Sequence, residues 1–273
     1  MKVLVVTPTL GESRWLDATV ASVARFNDLC RHVLVAPLPA IGALETRFPQ
    51  CVVVAEPAGR KGMYAAINAG AALPLPWDAF TYLNDDDLLL PHFAAGVPLA
   101  ETAVQARRPL VVYGGVRLVD AEGRRLGAIP VSPHPSLNRA LYAQRLEPVF
   151  QHGTLVTRSA FAQLGGFDET FRLCGDSEFL ARACVSGIPF ARVGGEAVAA
   201  FRLRAGQLTK GRAAMDEERR RVDDKLRLLD LPPTSNLRRA RWIFRMANLG
   251  IYAERIARHG FISFDELLAC VGK

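Results

Sequence analysis

The segment YLNDDDLLLP, residues 82–91, places three aspartates directly after an apolar run. Adjacent carboxylates repel one another and lose hydration when protein encloses them. Such a cluster is therefore stable where water, a cation or a cationic partner neutralises it. From these residues alone, three interpretations stay open: a solvated turn, a helix N-cap formed by Asp87, and a site for a divalent cation.

The spacing of the acidic side chains bears on the cation hypothesis. If the segment continues as a strand, alternate side chains share a face, so Asn84 and Asp86 point one way and Asp85 and Asp87 the other. Mg²⁺ or Mn²⁺ takes one or two carboxylates and completes its shell with substrate phosphates. We set an EF-hand aside, because NDDDLLLPHFAA has neither the central glycine nor the glutamate at its twelfth position.

Strand-like and helix-like patterns alternate around this segment. Apolar runs typical of strands are KVLVVTP (2–8), HVLVAP (32–37), CVVVAEP (51–57), AFTYLN (79–84) and LVVYGGVRLVD (110–120). Helical patterns lie between them, as in ESRWLDATVASVARF (12–26) and GMYAAINAGAAL (62–73). This order predicts an α/β fold with a parallel or mixed sheet covered on both faces. Ligands of such sheets bind beyond the carboxyl ends of the strands, where the aspartates stand.

Composition indicates a globular protein of the cytosol. The chain has 273 residues, 50% of them hydrophobic, which is enough for a substantial core. No apolar run approaches the roughly 18 residues of a membrane span, and the start of the sequence has no secretion signal. Five cysteines without a C-x-x-C pair favour reduced thiols over a disulfide framework or a zinc site. We expect a cytoplasmic location.

Residues 200–273 carry the whole net charge of +7. This excess predicts an anionic partner, either phospholipid headgroups or a phosphorylated substrate, with nucleic acid a third option and a solvated helical face the alternative. One predicted helix places Met215, Val222, Leu226 and Leu229 on one stripe. Further helices follow the break at LPPTSN, and their arginines alternate with Trp242, Ile243, Phe244 and Met246.

Two further segments carry candidate site residues. GDSEFLARA puts Asp176 and Glu178 in the first turn of a predicted helix, where they fit a general base or ordinary helix caps. Arg182, four residues after Glu178, also fits a simple surface ion pair with it. In EPAGRKGMYAAINAG, Arg60 and Lys61 stand among glycines and suit phosphate contact, although the segment matches neither a P-loop nor a dinucleotide fingerprint.

Taken in order, these segments resemble the family 2 glycosyltransferases, enzymes of the GT-A fold, from Lys2 to about Thr209. The matching pieces are VVTPTLGE, the G-x-x-x-A-x-N-x-G pattern at 62–70, LNDDD, YGG at 113–115, QHGTLVTRSAF, GGFDE at 165–169, and Asp176 with Glu178 and Arg182. Each piece is modest, but their joint order and spacing are specific. The resemblance implies a GT-A domain at 1–210 and a basic helical extension at 211–273.

The resemblance also implies a role for each matching residue. Asp86, with Asp87, would hold the Mn²⁺ or Mg²⁺ that bridges the donor diphosphate. Asp176 would be the general base, and Glu178 would position the acceptor. The implied donor-binding residues are Thr7, Pro8, Thr9, Glu12, Arg60, Lys61, Asn68, Asn84, Asp85 and Arg204.

The implied activity is inverting, metal-dependent transfer of a sugar from a nucleotide diphosphate donor to a glycan or lipid-linked acceptor of a surface polysaccharide. Arg204 stands near the place where related members carry a histidine; it cannot ligate a metal, but it could grip a phosphate. Ala36 and Pro37 stand where the family has an acidic turn that helps to recognise the nucleotide base. Because of these departures, a second hypothesis stays open: a catalytically weakened scaffold that binds sugar nucleotides or assembly partners. Nucleotidyl transfer is disfavoured because TPTLGESRW is not a basic glycine-rich loop.

The basic C-terminal helices predict peripheral contact with the inner membrane face, through headgroup attraction and insertion of Trp242 or Phe244. Packing within the chain or homodimerisation is the equally weighted alternative. We expect no nucleic acid partner.

Overall fold

A mixed sheet forms the centre of the protein. The computed structural model describes residues 1–60, 62–204, 212–228 and 235–260. Within these residues, nine strands form one sheet. They are β1 (Val3–Pro8), β2 (Cys30–Ala36), β3 (Val52–Ala55), β4 (Ala79–Tyr82), β5 (Leu88–Leu89), β6 (Val111–Val119), β7 (Arg125–Ile129), β8 (Leu155–Thr157) and β9 (Phe190–Arg202).

The strand order is β3-β2-β1-β4-β8-β6-β9-β5, and β7 pairs with β6 outside this path. Strands β1 to β4 form a parallel half, in which β1 lies between β2 and β4. The antiparallel strand β8 joins this half to β6, and β9 then runs parallel to β6. The prediction of an α/β fold with a mixed sheet is therefore confirmed.

Ten α-helices are present in the described part of the chain. They are α1 (Leu16–Ala24), α2 (Ile41–Arg47), α3 (Met63–Ala71), α4 (Val97–Gln105), α5 (Asn138–Tyr142), α6 (Arg158–Leu164), α7 (Gly175–Val185), α8 (Arg212–Leu226), α9 (Ser235–Ala247) and α10 (Leu249–His259). The strand, short helix, glycine turn and helix expected after residue 150 are found as β8, α6, the turn at 165–166 and α7.

Burial on both faces explains the uniformly apolar first strand. Leu4 and Val6 belong to the larger hydrophobic cluster on one side of the sheet, whereas Val3 and Val5 belong to a second cluster on the other side. All four side chains are fully buried. Each such burial contributes about 1.5–3 kcal/mol, so the position of β1 is strongly determined.

Helix α3 packs very closely on β1 because residue 70 is a glycine. A Cβ atom at Gly70 would lie 2.7 Å from Cγ1 of Val6 and 3.1 Å from Cγ2 of Val35. These distances are too short for an alanine without displacement of the strand. The close packing holds the last turn of α3 against β1 and β2.

Helix α8 packs against the body of the protein through both polar and apolar contacts. The Glu218 carboxylate accepts hydrogen bonds from the backbone N–H groups of Arg172, Leu173 and Cys174 at 2.7–2.8 Å. Met215, Val222 and Leu226 pack against the larger hydrophobic cluster, as their helical spacing predicted. Leu229 lies outside the described residues.

Helices α9 and α10 also pack within the chain. Phe244 is buried with Ala240 against Leu141 of α5. The Asn248 side chain accepts a hydrogen bond from Val131 N at 3.2 Å and donates one to Val131 O at 3.0 Å. The expectation that Phe244 inserts into a membrane is therefore wrong, because its ring belongs to the protein interior.

Other apolar side chains of α9 remain exposed. Trp242 is 64% exposed and Met246 is 48% exposed. Among the described residues, no helix is both long enough and apolar enough to cross a membrane.

Candidate functional site

The candidate site lies where β1 and β4 end. These strands are parallel neighbours, with Val6 beside Tyr82, so the residues that follow them meet at one edge of the sheet. Thr9 Oγ1 donates a hydrogen bond of 2.6 Å to Asp85 Oδ2. The hydroxyl of Ser13 donates to the backbone carbonyl of Asp85 at 3.0 Å. The loop after β1 is thus attached directly to the first aspartate.

The acidic segment is a turn and not a continuation of the strand. Because β4 ends at Tyr82, the expected alternation of side chains beyond it is wrong. Asn84 Nδ2 donates to Asp87 Oδ2 at 2.9 Å, and the backbone N–H of Arg202 donates to Asp87 Oδ1 at 2.9 Å. The Asp87 side chain is fully buried. Its carboxylate therefore ties the turn to β9.

His152 lies beside Asp87, and it was not among the site residues predicted from the sequence. Its Nε2 atom is 3.3 Å from Asp87 Oδ2. The ring is buried, and neither nitrogen makes a hydrogen bond of normal geometry with the described residues. Its position inside the motif QHGTLVTRSAF was the available signal.

The Asp86 carboxylate pairs with an arginine. Nε of Arg204 lies 2.5 Å from Asp86 Oδ2. Burial, followed by the negative charge of Asp87, raises the pKa of Asp86 to about 6, while Arg204 opposes the shift. The Arg204 guanidinium carbon also lies 5.1 Å from the centroid of the Trp15 ring.

Arg202, a second arginine that sequence reasoning missed, supports the turn from the protein side. Its Nε donates to the carbonyl of Asp86 at 2.8 Å, and its Nη1 donates to the carbonyls of Asp120 and Ala121 at 2.9 and 3.0 Å. Trp15 Nε1 donates to the same Ala121 carbonyl at 2.8 Å. Arg202 could not be selected from the sequence, because it lies on β9, far in sequence from the acidic turn.

As arranged, these residues do not fit a divalent cation. Asp85 is bonded to Thr9, Asp87 to backbone and amide donors, and Asp86 to the Arg204 guanidinium. Among the described residues, no group of three or more His, Cys, Asp or Glu side chains is arranged to hold a metal ion. The assignment of Asp86 and Asp87 to Mn²⁺ or Mg²⁺ stays a prediction of the resemblance.

Asp176 lies at the start of α7, next to Tyr64. The Tyr64 hydroxyl donates to Asp176 Oδ1 at 3.2 Å and accepts from the Asp176 backbone N–H at 3.1 Å. Burial, followed by the negative charge of Glu147, raises the pKa of Asp176. The Tyr64 and Tyr82 rings pack on the same Phe167 ring, with centroids 5.7 and 5.5 Å from it. Asp176 therefore lies on the face of the sheet that carries Tyr82, the last residue of β4.

Glu178 faces the interior, unlike Asp176. Its side chain is fully buried and pairs with Arg182 Nε at 2.7 Å and Lys225 Nζ at 2.7 Å. Arg182 Nη2 in turn donates to the carbonyl of Gly166 at 2.9 Å. The expected contact of Glu178 with an acceptor is therefore corrected: the residue joins α7, α8 and the glycine turn.

Thr7 also faces away from the acidic turn. It is fully buried, and its Oγ1 lies 2.9 Å from Nε2 of His32. Its expected contact with the donor is corrected, because alternate side chains of β1 face opposite sides of the sheet. Pro8 ends the strand half-buried, and Glu12 is exposed in the following loop.

Asn68 and Arg60 contact the GGFDE turn. Asn68 Nδ2 donates to the Phe167 carbonyl and to Glu169 Oε1, both at 2.8 Å, and its Oδ1 accepts from the Phe167 N–H. Arg60 Nε donates to Glu169 Oε2 at 2.8 Å. The Asn68 amide therefore fixes this turn. Lys61 lies outside the described residues.

The fold matches solved glycosyltransferase structures. S. aureus TarS 1–349 in complex with UDP-GlcNAc aligns with a TM-score of 0.59 and 14% identity, over 98% of this chain and 78% of that one. The chain has the fold of these glycosyltransferases. The Pyrobaculum calidifontis mannosyltransferase PcManGT, in complex with GDP-Man and Mn²⁺, aligns with a TM-score of 0.54 and 16% identity, over 98% of this chain and 79% of its own.

A further structure of S. aureus TarS aligns with a TM-score of 0.58 and 14% identity over 97% of this chain, which spans only 45% of that TarS chain. No family model and no curated protein matches the sequence.

Proposed function

We propose that this protein transfers a sugar from a nucleoside diphosphate donor to a hydroxyl group, with inversion at the anomeric carbon. The observation that carries the proposal is the packing that joins two acidic segments: Tyr82, three residues before Asp85, and Tyr64, which donates to Asp176, pack on the same Phe167 ring. The structural neighbours bind UDP-GlcNAc and GDP-Man, which supports a nucleotide sugar as donor. We assign this reaction to residues 1–210.

The donor lies along the carboxyl ends of β1 and β4. Asp85, already held by Thr9, accepts a ribose hydroxyl, and the loop with Pro8 and Glu12 lines the nucleoside. Arg60 and Lys61 directly precede α3, and we assign them to the phosphates of the same donor. Because the turn as arranged does not fit Mn²⁺ or Mg²⁺, no step of the reaction is assigned to a metal.

Asp176 acts as the general base. It takes the proton of the acceptor hydroxyl while that oxygen bonds to the anomeric carbon and the bond to the diphosphate oxygen breaks. Burial and the negative charge of Glu147 raise its pKa, which makes it a stronger base than an exposed aspartate. The nucleoside diphosphate leaves from the opposite face of the sugar.

Turnover by Asp176→Asn tests the proposal. A panel of UDP-, GDP-, CDP- and TDP-sugars is incubated with the protein, and release of nucleoside diphosphate is measured with water as acceptor. We expect the variant to lose about 10²–10⁴-fold in rate while it still binds the nucleoside diphosphate. Asp17→Asn, an exposed carboxylate that pairs with Arg47, is the matched control. Equal turnover by the wild type and Asp176→Asn would refute the assignment.

A binding module without turnover is the second candidate. The pairing of Asp86 with Arg204 favours it, because an arginine that departs from the family pattern pairs with the carboxylate expected to hold the metal. Wild-type protein that binds a nucleoside diphosphate but releases none from any sugar of the panel would establish this alternative.

We also propose that the exposed face of α9 contacts an anionic membrane surface on the cytoplasmic side, where a glycan or lipid-linked acceptor is presented. Trp242 and Met246 supply exposed apolar area there. Arginines of the same helix attract acidic headgroups. A second copy of the chain is the alternative occupant of this face.

A further inference from the structure

We propose that the Arg204 guanidinium takes the place of a divalent cation and neutralises the donor diphosphate directly. This inference rests on the proposed function. It adds that the positive charge facing the diphosphate is a guanidinium and not a metal ion. It predicts nucleotide binding, and transfer, without any added metal.

The first argument is the contact with Asp86. The Asp86 side chain is only 6% exposed, and Arg204 Nε lies 2.5 Å from it, whereas the Arg204 side chain is 29% exposed. The guanidinium therefore covers the one carboxylate of the turn that is not held by an uncharged donor. A metal ion on Asp86 would have to displace this guanidinium, whereas a diphosphate can approach it from the solvent side.

The second argument is that the orientation of Arg204 is fixed. Its guanidinium carbon lies 5.1 Å from the Trp15 ring centroid, a distance typical of a cation–π contact. The Trp15 ring is itself held by the hydrogen bond from its Nε1 to the Ala121 carbonyl. A guanidinium held in this way presents a planar set of N–H donors, which suits two phosphate oxygens better than a lysine ammonium does.

The third argument is that a second guanidinium lies at the same aspartate. Arg202 lies two residues before Arg204, and its Nε donates to the Asp86 carbonyl, so two guanidinium groups contact the same aspartate. A divalent cation at Asp86 would be repelled by both. An anionic diphosphate would be attracted by both, and Asp86 would keep Arg204 in position before the donor arrives.

Calorimetric titration of the full chain with UDP, GDP, CDP and TDP, in EDTA and then in Mn²⁺, tests this inference. We expect the nucleotide that binds to do so with the same Kd in both buffers. Arg204→Ala should weaken binding in EDTA about tenfold or more, the effect of losing a hydrogen bond to a charged group. Arg204→Lys should recover part of this loss.

Arg14→Ala is the matched control. Arg14 also lies over the Trp15 ring, at 4.4 Å, but it forms an ion pair with Glu122, which is outside the acidic turn. Its removal deletes the same charge from the same aromatic ring, and we expect an unchanged Kd.

Arg204→His provides a gain-of-function test. An imidazole beside Asp86 supplies a metal ligand in place of a guanidinium, so binding should become dependent on Mn²⁺. Thermal melting of each variant confirms that it is folded.

Wild-type binding that requires Mn²⁺ and is lost in EDTA would overturn the inference while leaving the proposed function intact. Arg204→Ala and Arg204→Lys that both bind like the wild type in EDTA would also overturn it. Absence of binding in both buffers would instead overturn the proposed function, and this inference with it.

Discussion

The Tyr64 hydroxyl contacts Asp176 twice: it donates to the carboxylate at 3.2 Å and accepts from the backbone N–H at 3.1 Å. The contact is possible because residue 175 is a glycine; a Cβ there would lie 2.5 Å from the Tyr64 ring. Helix α3, which packs on β1, therefore sets the position of the candidate base on α7.

Tyr64→Phe should change the pH dependence of transfer. The Tyr64 hydrogen bond lowers the pKa of Asp176 against the larger effects of burial and Glu147. Its removal raises that pKa further, so the acidic limb of the profile of kcat/KM against pH should move to higher pH. Tyr252→Phe, on α10, is the control for loss of a hydroxyl. An unshifted profile in Tyr64→Phe would show that Asp176 does not control the rate.

Glu218→Ala should destabilise the protein. The carboxylate accepts three backbone N–H groups ahead of α7, so we expect the free energy of unfolding in urea to fall by about 2 kcal/mol. Glu217→Ala removes an exposed partner of Arg220 and should cost at most about 0.5 kcal/mol. Equal effects of the two substitutions would mean that α8 is not held through Glu218.

His32 should make stability depend on pH. Burial lowers its pKa to about 3, whereas the unfolded chain binds the proton near pH 6.5. Because the unfolded state holds more protons between these values, the contribution of His32 to stability falls as the pH decreases below 6.5. The difference in free energy of unfolding between the wild type and His32→Gln should therefore narrow from pH 7 to pH 5. A constant difference would contradict the low pKa.

The fold could be predicted from the sequence because strand signals and helical spacing are local. The run at β1 is apolar at every position between Val3 and Val6, and this pattern requires burial on both faces. The directions of the side chains in the site could not be predicted from the sequence. Thr7 and Glu178 carry suitable groups at suitable places, but each side chain faces the interior, and such directions depend on neighbours distant in sequence.

The acidic turn shows the same limit. Sequence reasoning placed Asp85 and Asp86 at the end of a strand, and the structure puts them there. The partners that decide their chemistry, Arg202 and Arg204, come from β9 and its end, more than a hundred residues later. The pairing of Arg204 with Asp86 could not be read from local spacing, because it depends on how β5 and β9 pair.

Trp242→Ala should weaken contact with acidic vesicles. Loss of the exposed ring should reduce co-sedimentation with vesicles that contain phosphatidylserine about tenfold, because the ring contributes apolar area to the interface. Leu38→Ala removes an exposed apolar side chain from another segment and should have no effect. Binding that is indifferent to anionic lipid would exclude the membrane proposal.

The most direct test of the central claim is thermal melting of the wild type and Asp85→Asn with UDP, GDP, CDP and TDP. A ligand that binds only the folded protein stabilises it by about 2.7 kcal/mol at a concentration of 100 times its Kd. We predict that at least one of the four nucleotides raises the Tm of the wild type by several degrees and that Asp85→Asn loses most of this increase. An unchanged Tm of the wild type with all four nucleotides would contradict a nucleotide site at the ends of β1 and β4.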